Sequence, residues 1–241
     1  MIVLKNVTKI YGKDFVAVDN LSLEIKDGEI FGFLGPNGAG KTTTLKLLSG
    51  ILPLDSGEIF LNEFNIVKDP IEAKKTLGFI PDTPNVLPRL KGREYLEFIT
   101  SVYKIDKETA TVRIEQLAKK FDLYDSLNDR VESYSHGMLQ KLLVIGVLLH
   151  NPKNWVLDEP MTGLDPKSSF LLKEMMREHA DNGNTVLFST HVLDVAEKIC
   201  DRIGIINKGK LIFVGTIAEL KELRQKDDSL EKLFLEFTDN E

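Results

Sequence analysis

Residues 31–50 read FGFLGPNGAGKTTTLKLLSG. The strand-like EIFGFL (29–34) runs into a glycine-rich segment and out into the helix-like KTTTLKLL (41–48). Gly35 to Thr42 match the spacing G-x-x-x-x-G-K-[ST], in the strand, loop and helix setting that the motif needs. Gly35, Gly38 and Gly40 let successive backbone N–H groups turn inward around a phosphate, and Pro36, Asn37, Ala39 and Thr43 complete the candidate loop. Lys41 would neutralise β and γ oxygens of a bound polyphosphate, and Thr42 would ligate Mg²⁺. A strand feeding such a loop into a helix sets the expected class as α/β, a P-loop NTPase core on a mainly parallel sheet.

Further along, NWVLDEPMTGLDP (154–166) offers a second part of the same chemistry. An apolar strand ending in Asp158 puts a carboxylate at the mouth of the sheet, where it can hold Mg²⁺ directly or through water. Glu159, one position on, can point at an attacking water. Alone, an Asp-Glu pair at a strand end reads as a solvated loop or helix cap; beside a phosphate loop it reads as catalytic. A third stretch, YSHGMLQK (134–141), opens an apolar helix-like run. A Ser before a small flexible residue leaves a hydroxyl and backbone N–H groups at the positive end of the helix, which suits an anion. That makes two anion-binding helix starts almost a hundred residues apart.

Composition narrows the partners. The chain has 241 residues, 42% of them hydrophobic, ample for a packed core, and a formal net charge of −6. Its Lys and Arg residues are scattered, so nucleic acid is not expected as the main partner. The single cysteine, Cys200, excludes an internal disulfide and reads as a buried structural thiol in a reducing compartment. No charged-then-apolar leader opens the sequence, and the longest apolar run, Leu142 to Leu149, falls far short of the roughly 20 residues that span a bilayer. Any membrane role is therefore expected to pass through a partner.

Strand-like and helix-like segments alternate after residue 29. Before it, MIVLKNVTKIYG and VAVDNLSLEIKDG read as an antiparallel β subdomain at one edge. From about 90 to 150 the pattern is helical throughout, with Tyr95, Phe98, Ile99 and Val102 on one face and Ala110, Ile114, Leu117 and Phe121 on another. The expected division is an α/β core at 1–90 and 151–215, an inserted helical subdomain at 91–150, and a helical tail at 216–241. In that tail Leu230, Leu233, Phe234 and Phe237 recur at helical spacing. DRIGIINKGKLIFVG (201–215) reads as two strands joined at Asn207 to Lys210, and no internal repeat appears.

The order GPNGAGKTT, YSHGMLQK, VLDEP, GLDP and STH is similar, over nearly the whole chain, to the ATP-binding subunit of ATP-binding cassette (ABC) transporters. The closest likeness is to the exporter-like branch, whose membrane subunit is a separate polypeptide. The resemblance implies ATP and Mg²⁺ as ligands, Tyr11 stacked on adenine, Glu159 polarising the hydrolytic water, His191 on the γ-phosphate and Asp165 communicating across a dimer. It also gives the second helix start a purpose: two cassettes pack head to tail, and Ser135 and Gly137 of one chain bind the γ-phosphate held by the other. Plainer readings stand beside these. Tyr11 can cover a sheet edge, His191 can open a helix, and Asp165 can cap one.

Two departures from the family pattern stand out. Its usual Leu-Ser-Gly-Gly-Gln is here Tyr134, Ser135, His136, Gly137, Met138. Where it has a Gln touching Mg²⁺ and water, this chain has Asp82, either a metal ligand that adds negative charge or a turn residue between Pro81 and Pro84. In relatives the segment matching 82–98 receives a short helix of the membrane subunit, with Val86, Leu87, Leu90 and Tyr95 as candidate contacts. The expected function is an ATP-hydrolysing motor subunit held at the cytoplasmic face of the membrane by a permease. A soluble cassette acting on ribosomes or DNA is the alternative, though such proteins usually carry two cassettes or a long coiled-coil insertion. A nucleotide-binding module without turnover is disfavoured, because Glu159, His191 and Lys41 are all present.

Overall fold

The computed structural model describes residues 1–83, 86–223 and residue 234. Alternating apolar residues make β1 (Ile2–Tyr11), which buries Ile2, Leu4 and Val7 and pairs antiparallel with β2 (Phe15–Ile25). β3 (Ile30–Leu34) is buried at all five positions, as a strand covered on both faces must be, and leads into α1 (Lys41–Leu48). β4 (Ser56–Leu61) and β5 (Phe64–Asn65) return to the first sheet, whose order is β2-β1-β4-β5. α2 (Pro70–Lys75) begins with Pro at a position that needs no donor, and β6 (Leu77–Ile80) follows.

Three helices come next: α3 (Gly92–Val102), α4 (Lys107–Lys120) and α5 (His136–His150). The chain then alternates through β7 (Asn154–Asp158), α6 (Pro166–Asp181), β8 (Thr185–Thr190) and α7 (Leu193–Ile199). It closes with β9 (Arg202–Asn207), β10 (Lys210–Gly215) and α8 (Ile217–Leu223). The second sheet runs β10-β9-β3-β8-β7-β6, parallel except for the β10-β9 hairpin at its edge.

Because side chains alternate across a strand, the parallel sheet feeds two cores. Phe31, Phe33, Val156 and Leu187 face the first sheet and pack with Leu45, Leu47 and Leu48 of α1. Ile30, Trp155, Leu157, Val186 and Phe188 face the other way, onto α5 and α6. Truncating a fully buried ring such as Phe188 to Ala would cost roughly 3–5 kcal/mol. A third, smaller cluster under α7 and α8 holds Leu34, Ala196, Ile203 and Leu220, with Phe234 packed against it.

Several details differ from the reading of the sequence. The expected N-terminal antiparallel β subdomain is present as a sheet of its own, and its completion by β4 and β5 is what the sequence did not show. The helical stretch is broken by single 3-10 turns at Tyr124–Ser126 and Val131–Ser133. On α4 the buried residues include Ala110 and Ile114, followed by Phe121, as the periodicity indicates. On α3 the core face is instead Leu96 and Thr100, while Phe98 and Val102 stand 51% and 56% exposed. Leu230, Leu233 and Phe237 lie outside the described residues. Cys200 packs against the core, where burial pushes its thiol well above the usual range.

Candidate nucleotide site

β3, β7 and β8 are parallel neighbours in register, Leu34 opposite Thr190 and Asp158 opposite Ser189. Their C-terminal ends therefore deliver the glycine loop, the Asp158-Glu159 pair and His191 to one edge of the sheet. α1 opens at Lys41, capped by Gly40 at φ 107°. Only glycine fits there, since a Cβ would also lie 2.4 Å from the Ala17 carbonyl oxygen.

A cavity of about 380 Å³ lies over this loop. Pro36, Asn37, Gly38, Gly40, Lys41, Thr42 and Thr43 form its floor. Phe15, Ala17, Asp82, Glu159, Thr162 and His191 complete its lining. Gly35 and Ala39 are not among the lining residues; Ala39 is buried in the core and the Gly35 carbonyl accepts from Lys41.

The buried Lys41 donates its Nζ to the carbonyls of Gly35 at 2.7 Å and Pro36 at 3.2 Å. Burial pushes its ammonium pKa down, while the charges of Glu159, Asp158 and Asp82 push it up. A cation held on two carbonyls can exchange them for phosphate oxygens, which compensate its charge better.

Asp158 is 1% exposed, so burial raises its carboxyl pKa against the pull of the Ser189 and Thr42 hydroxyls. Ser189 Oγ donates to Asp158 Oδ1 at 2.6 Å and accepts from the Glu159 backbone N–H at 3.0 Å. That one hydroxyl fixes both acidic residues, with Glu159 held in the left-handed region at φ 48°. Asp158 Oδ2 has no hydrogen-bond partner among the described residues. A buried, unpaired carboxylate oxygen beside Thr42 and Lys41 is the donor that a hard cation takes. Among the described residues no group of three or more His, Cys, Asp or Glu side chains forms a metal cage, so Mg²⁺ would draw its remaining oxygens from phosphate and water. Glu159 Oε1 lies 3.0 Å from His191 Nδ1, a carboxylate and an imidazole paired over the loop.

Other residues expected from the sequence lie elsewhere. Tyr11 is outside the cavity lining, 40% exposed, its ring 6.5 Å from that of Phe15 across the hairpin. Phe15, 62% exposed, is the aromatic residue that lines the cavity. Its position beside the β1-β2 turn was the available signal. Ser189 and Thr162 were likewise missed, although Ser189 stands inside STH. Ser135 and Gly137 do not reach the cavity. The Ser135 hydroxyl caps α5 by accepting from Met138 N–H at 3.3 Å, and the residue is exposed. Asp165 caps α6 by accepting from Ser168 N–H at 2.9 Å and pairs with Lys141 Nζ at 2.7 Å. Lys141, and the Ser168 donors after it, hold the Asp165 carboxyl far below the usual range.

Comparison with known proteins agrees with this geometry. Residues 18–162 match the family model described as ABC transporter. The linearmycin resistance ATP-binding protein LnrL of Bacillus subtilis is 36% identical over 220 residues, covering 91% of this chain and 70% of that protein. A solved structure of an ATP binding subunit of an ABC transporter superposes with a TM-score of 0.92 at 28% identity, covering 98% of each chain. The ATP-binding cassette MJ0796, solved as a dimer in a post-hydrolysis state with ADP and Pi, superposes at 0.81 with 26% identity, over 90% of this chain and 99% of that one. The chain belongs to the ABC transporter family, as an ATP-binding cassette ATPase.

Proposed function

We propose that this chain hydrolyses ATP at the Lys41 loop to drive a separate membrane subunit, and that it works as a head-to-tail pair of cassettes. The observation that carries the reading is the set of Lys41, Asp158, Glu159 and His191 at one sheet edge, with Glu159 and His191 3.0 Å apart. Lys41 and the loop N–H groups bind the triphosphate. Glu159 accepts a proton from the attacking water, His191 orients Glu159, and Ser189 keeps both acidic residues in place. Thr42 and Asp158 Oδ2 would hold Mg²⁺, which supplies charge neutralisation at the β and γ oxygens. Asp82 faces the same cavity and fits a role near the metal better than that of a turn residue alone.

The head-to-tail pairing gives the exposed Ser135 and the half-buried Gly137 their ligand, the γ-phosphate of the other chain, and the dimeric structure of the related cassette supports it. Residues 91–150 then form the helical subdomain, and 1–90 with 151–215 the α/β core. Between them runs a groove of about 230 Å³, with Tyr95, Tyr103 and His150 in its wall and the rings of Tyr103 and His150 stacked at 3.7 Å. Phe98 and Val102 on α3 are exposed nearby, as is Leu87, whereas Val86 and Tyr95 pack on the core. This apolar surface suits a short helix of the membrane subunit. No helix among the described residues is long and apolar enough to cross a membrane, so attachment to the cytoplasmic face would come through that contact. The Nod factor export ATP-binding protein I of Cupriavidus metallidurans, 35% identical over 217 residues, favours export as the direction.

Glu159→Gln tests the reading. ATP binding should persist while turnover falls on the order of a hundredfold, and a nucleotide-bound dimer should accumulate. Turnover within twofold of native would remove Glu159 from catalysis.

A further inference from the structure

The start of α5 and the loop that leaves Glu159 are joined at four points. Gln140, 1% exposed, donates Nε2 to the Pro160 carbonyl at 3.3 Å, and Lys141 pairs with Asp165 at 2.7 Å. Between these, a Cβ placed on Gly137 would lie 2.5 Å from the Gly163 carbonyl oxygen. A Cβ placed on Gly163, whose φ is +79°, would lie 2.3 Å from His136 Cδ2 and 3.0 Å from its Nε2. His136, Gly137, Gln140 and Lys141 share one helix face. The loop they touch is short and tied to itself, with Thr162 N–H on the Glu159 carbonyl at 3.0 Å and Leu164 N–H on that of Met161 at 3.2 Å. It begins at Glu159, paired with His191, and ends at Asp165, the cap of α6.

We propose that His136 is a positioning residue: its ring, seated on Gly163, makes the Ser135 helix start and the 160–165 loop move as one piece. Phosphate bound at Ser135 thereby sets the Glu159 of the same chain. The proposal rests on the head-to-tail reading, because the phosphate belongs to the other chain's loop. The contact depends on matched sizes. A ring stands at 136, where the family pattern has Gly, and no side chain stands at 163 to meet it. Each cassette then reports the filling of its neighbour's site to its own catalytic carboxylate, which is a coupling between the two sites of a dimer.

The test uses His136→Phe, His136→Ala, Gly163→Ala and the double variant His136→Ala with Gly163→Ala, comparing kcat, KM and the ATP cooperativity of each. Ala supports a helix, so loss of the ring does not simply unwind the start of α5, and unchanged melting temperatures check this. His136→Phe keeps a planar ring and should stay within about twofold of native. His136→Ala should lower kcat about fivefold or more, leave KM within about twofold and bring the Hill coefficient toward one. Gly163→Ala should be worse, since a side chain meets the ring and sits at positive φ; the double variant should lose less than the product of the single losses.

Native kcat and cooperativity in His136→Ala, a Phe variant as poor as Ala, or losses that simply multiply would each overturn the proposal. Dimer formation by Glu159→Gln with ATP separates the two ideas. A chain that stays monomeric sinks the head-to-tail reading and this proposal together. A chain that dimerises while His136→Ala behaves as native sinks the proposal alone.

Discussion

Two helix starts in this chain carry anion chemistry, and they differ in what surrounds them. At α1, the ammonium of Lys41 and the Glu159-His191 pair line one cavity, with Asp158 buried at the strand end before Glu159. At α5, Ser135 is exposed and its hydroxyl caps its own helix, with no part in that cavity. The first is assembled by parallel strands ending at a common edge, and the second lies outside the cavity they form. A helix N-terminus is therefore only an opportunity for an anion; the groups brought to it decide whether it is a site or half of one. In the head-to-tail reading, the second start is finished by a second cassette, another copy or a related chain.

The largest effect expected breaks or sustains this contrast directly. Lys41→Ala and Ser135→Arg homodimers should each be nearly inactive, one unable to hold phosphate and the other blocking the facing helix start. Mixed dimers place both lesions in one site and leave the other native. An equal random mixture should therefore recover about a quarter of native ATPase activity, with about half the dimers mixed and one working site in each. No recovery, in a mixture shown to contain mixed dimers and with a tandem control showing that one site can turn over, would count against a site shared between two chains.

A smaller loss should sharpen the α1 side. Ser189 Oγ holds Asp158 at 2.6 Å and Glu159 at 3.0 Å, so Ser189→Ala should lower kcat about tenfold with little change in KM. Native kcat would show that the two acidic residues hold their geometry without it. At the rim of the same cavity, Phe15→Ala should raise the KM for ATP about threefold, and Tyr11→Ala by less, because Phe15 lines the cavity. The reverse order would return the stacking role to Tyr11.

The smallest effect on catalysis is expected away from both helix starts. His179 stacks on Trp155 with ring centroids 4.1 Å apart, and burial pushes its pKa down to about 4 against the pull of the Lys153 and Pro152 backbone. The folded chain keeps the ring neutral while the unfolded chain takes up a proton below about 6.5. Stability on this account is full above that pH, falls as pH drops toward 4, and falls no further below, for a loss of about 3 kcal/mol at most. His179→Phe keeps a ring and should flatten this part of a melting-temperature series from neutral pH to about 4.5, with neutral-pH turnover unchanged. A series as steep as the native one would assign the acid sensitivity to other groups.

The sequence by itself determined the phosphate loop from Gly35 to Thr43, the strand-ending Asp158, the first hairpin and the β9-β10 pair. These rest on motif spacing and local period, which a chain carries within a few residues. Tertiary structure alone decided the rest. Ser189 bridges to Asp158 from a strand thirty-one residues later, through register that nothing local records. β4 and β5 complete the first sheet because β4 adds to β1 across an intervening β3 and α1. The apolar period of α3 marked Tyr95, Phe98, Ile99 and Val102 as one stripe, yet a period reports that a face exists and not what covers it. Leu96 and Thr100 took the core, and Phe98 and Val102 were left at the surface. The join of His136 to Gly163 has the same origin: each residue is unremarkable in its own segment, and their contact exists only because α5 packs where the loop after β7 turns.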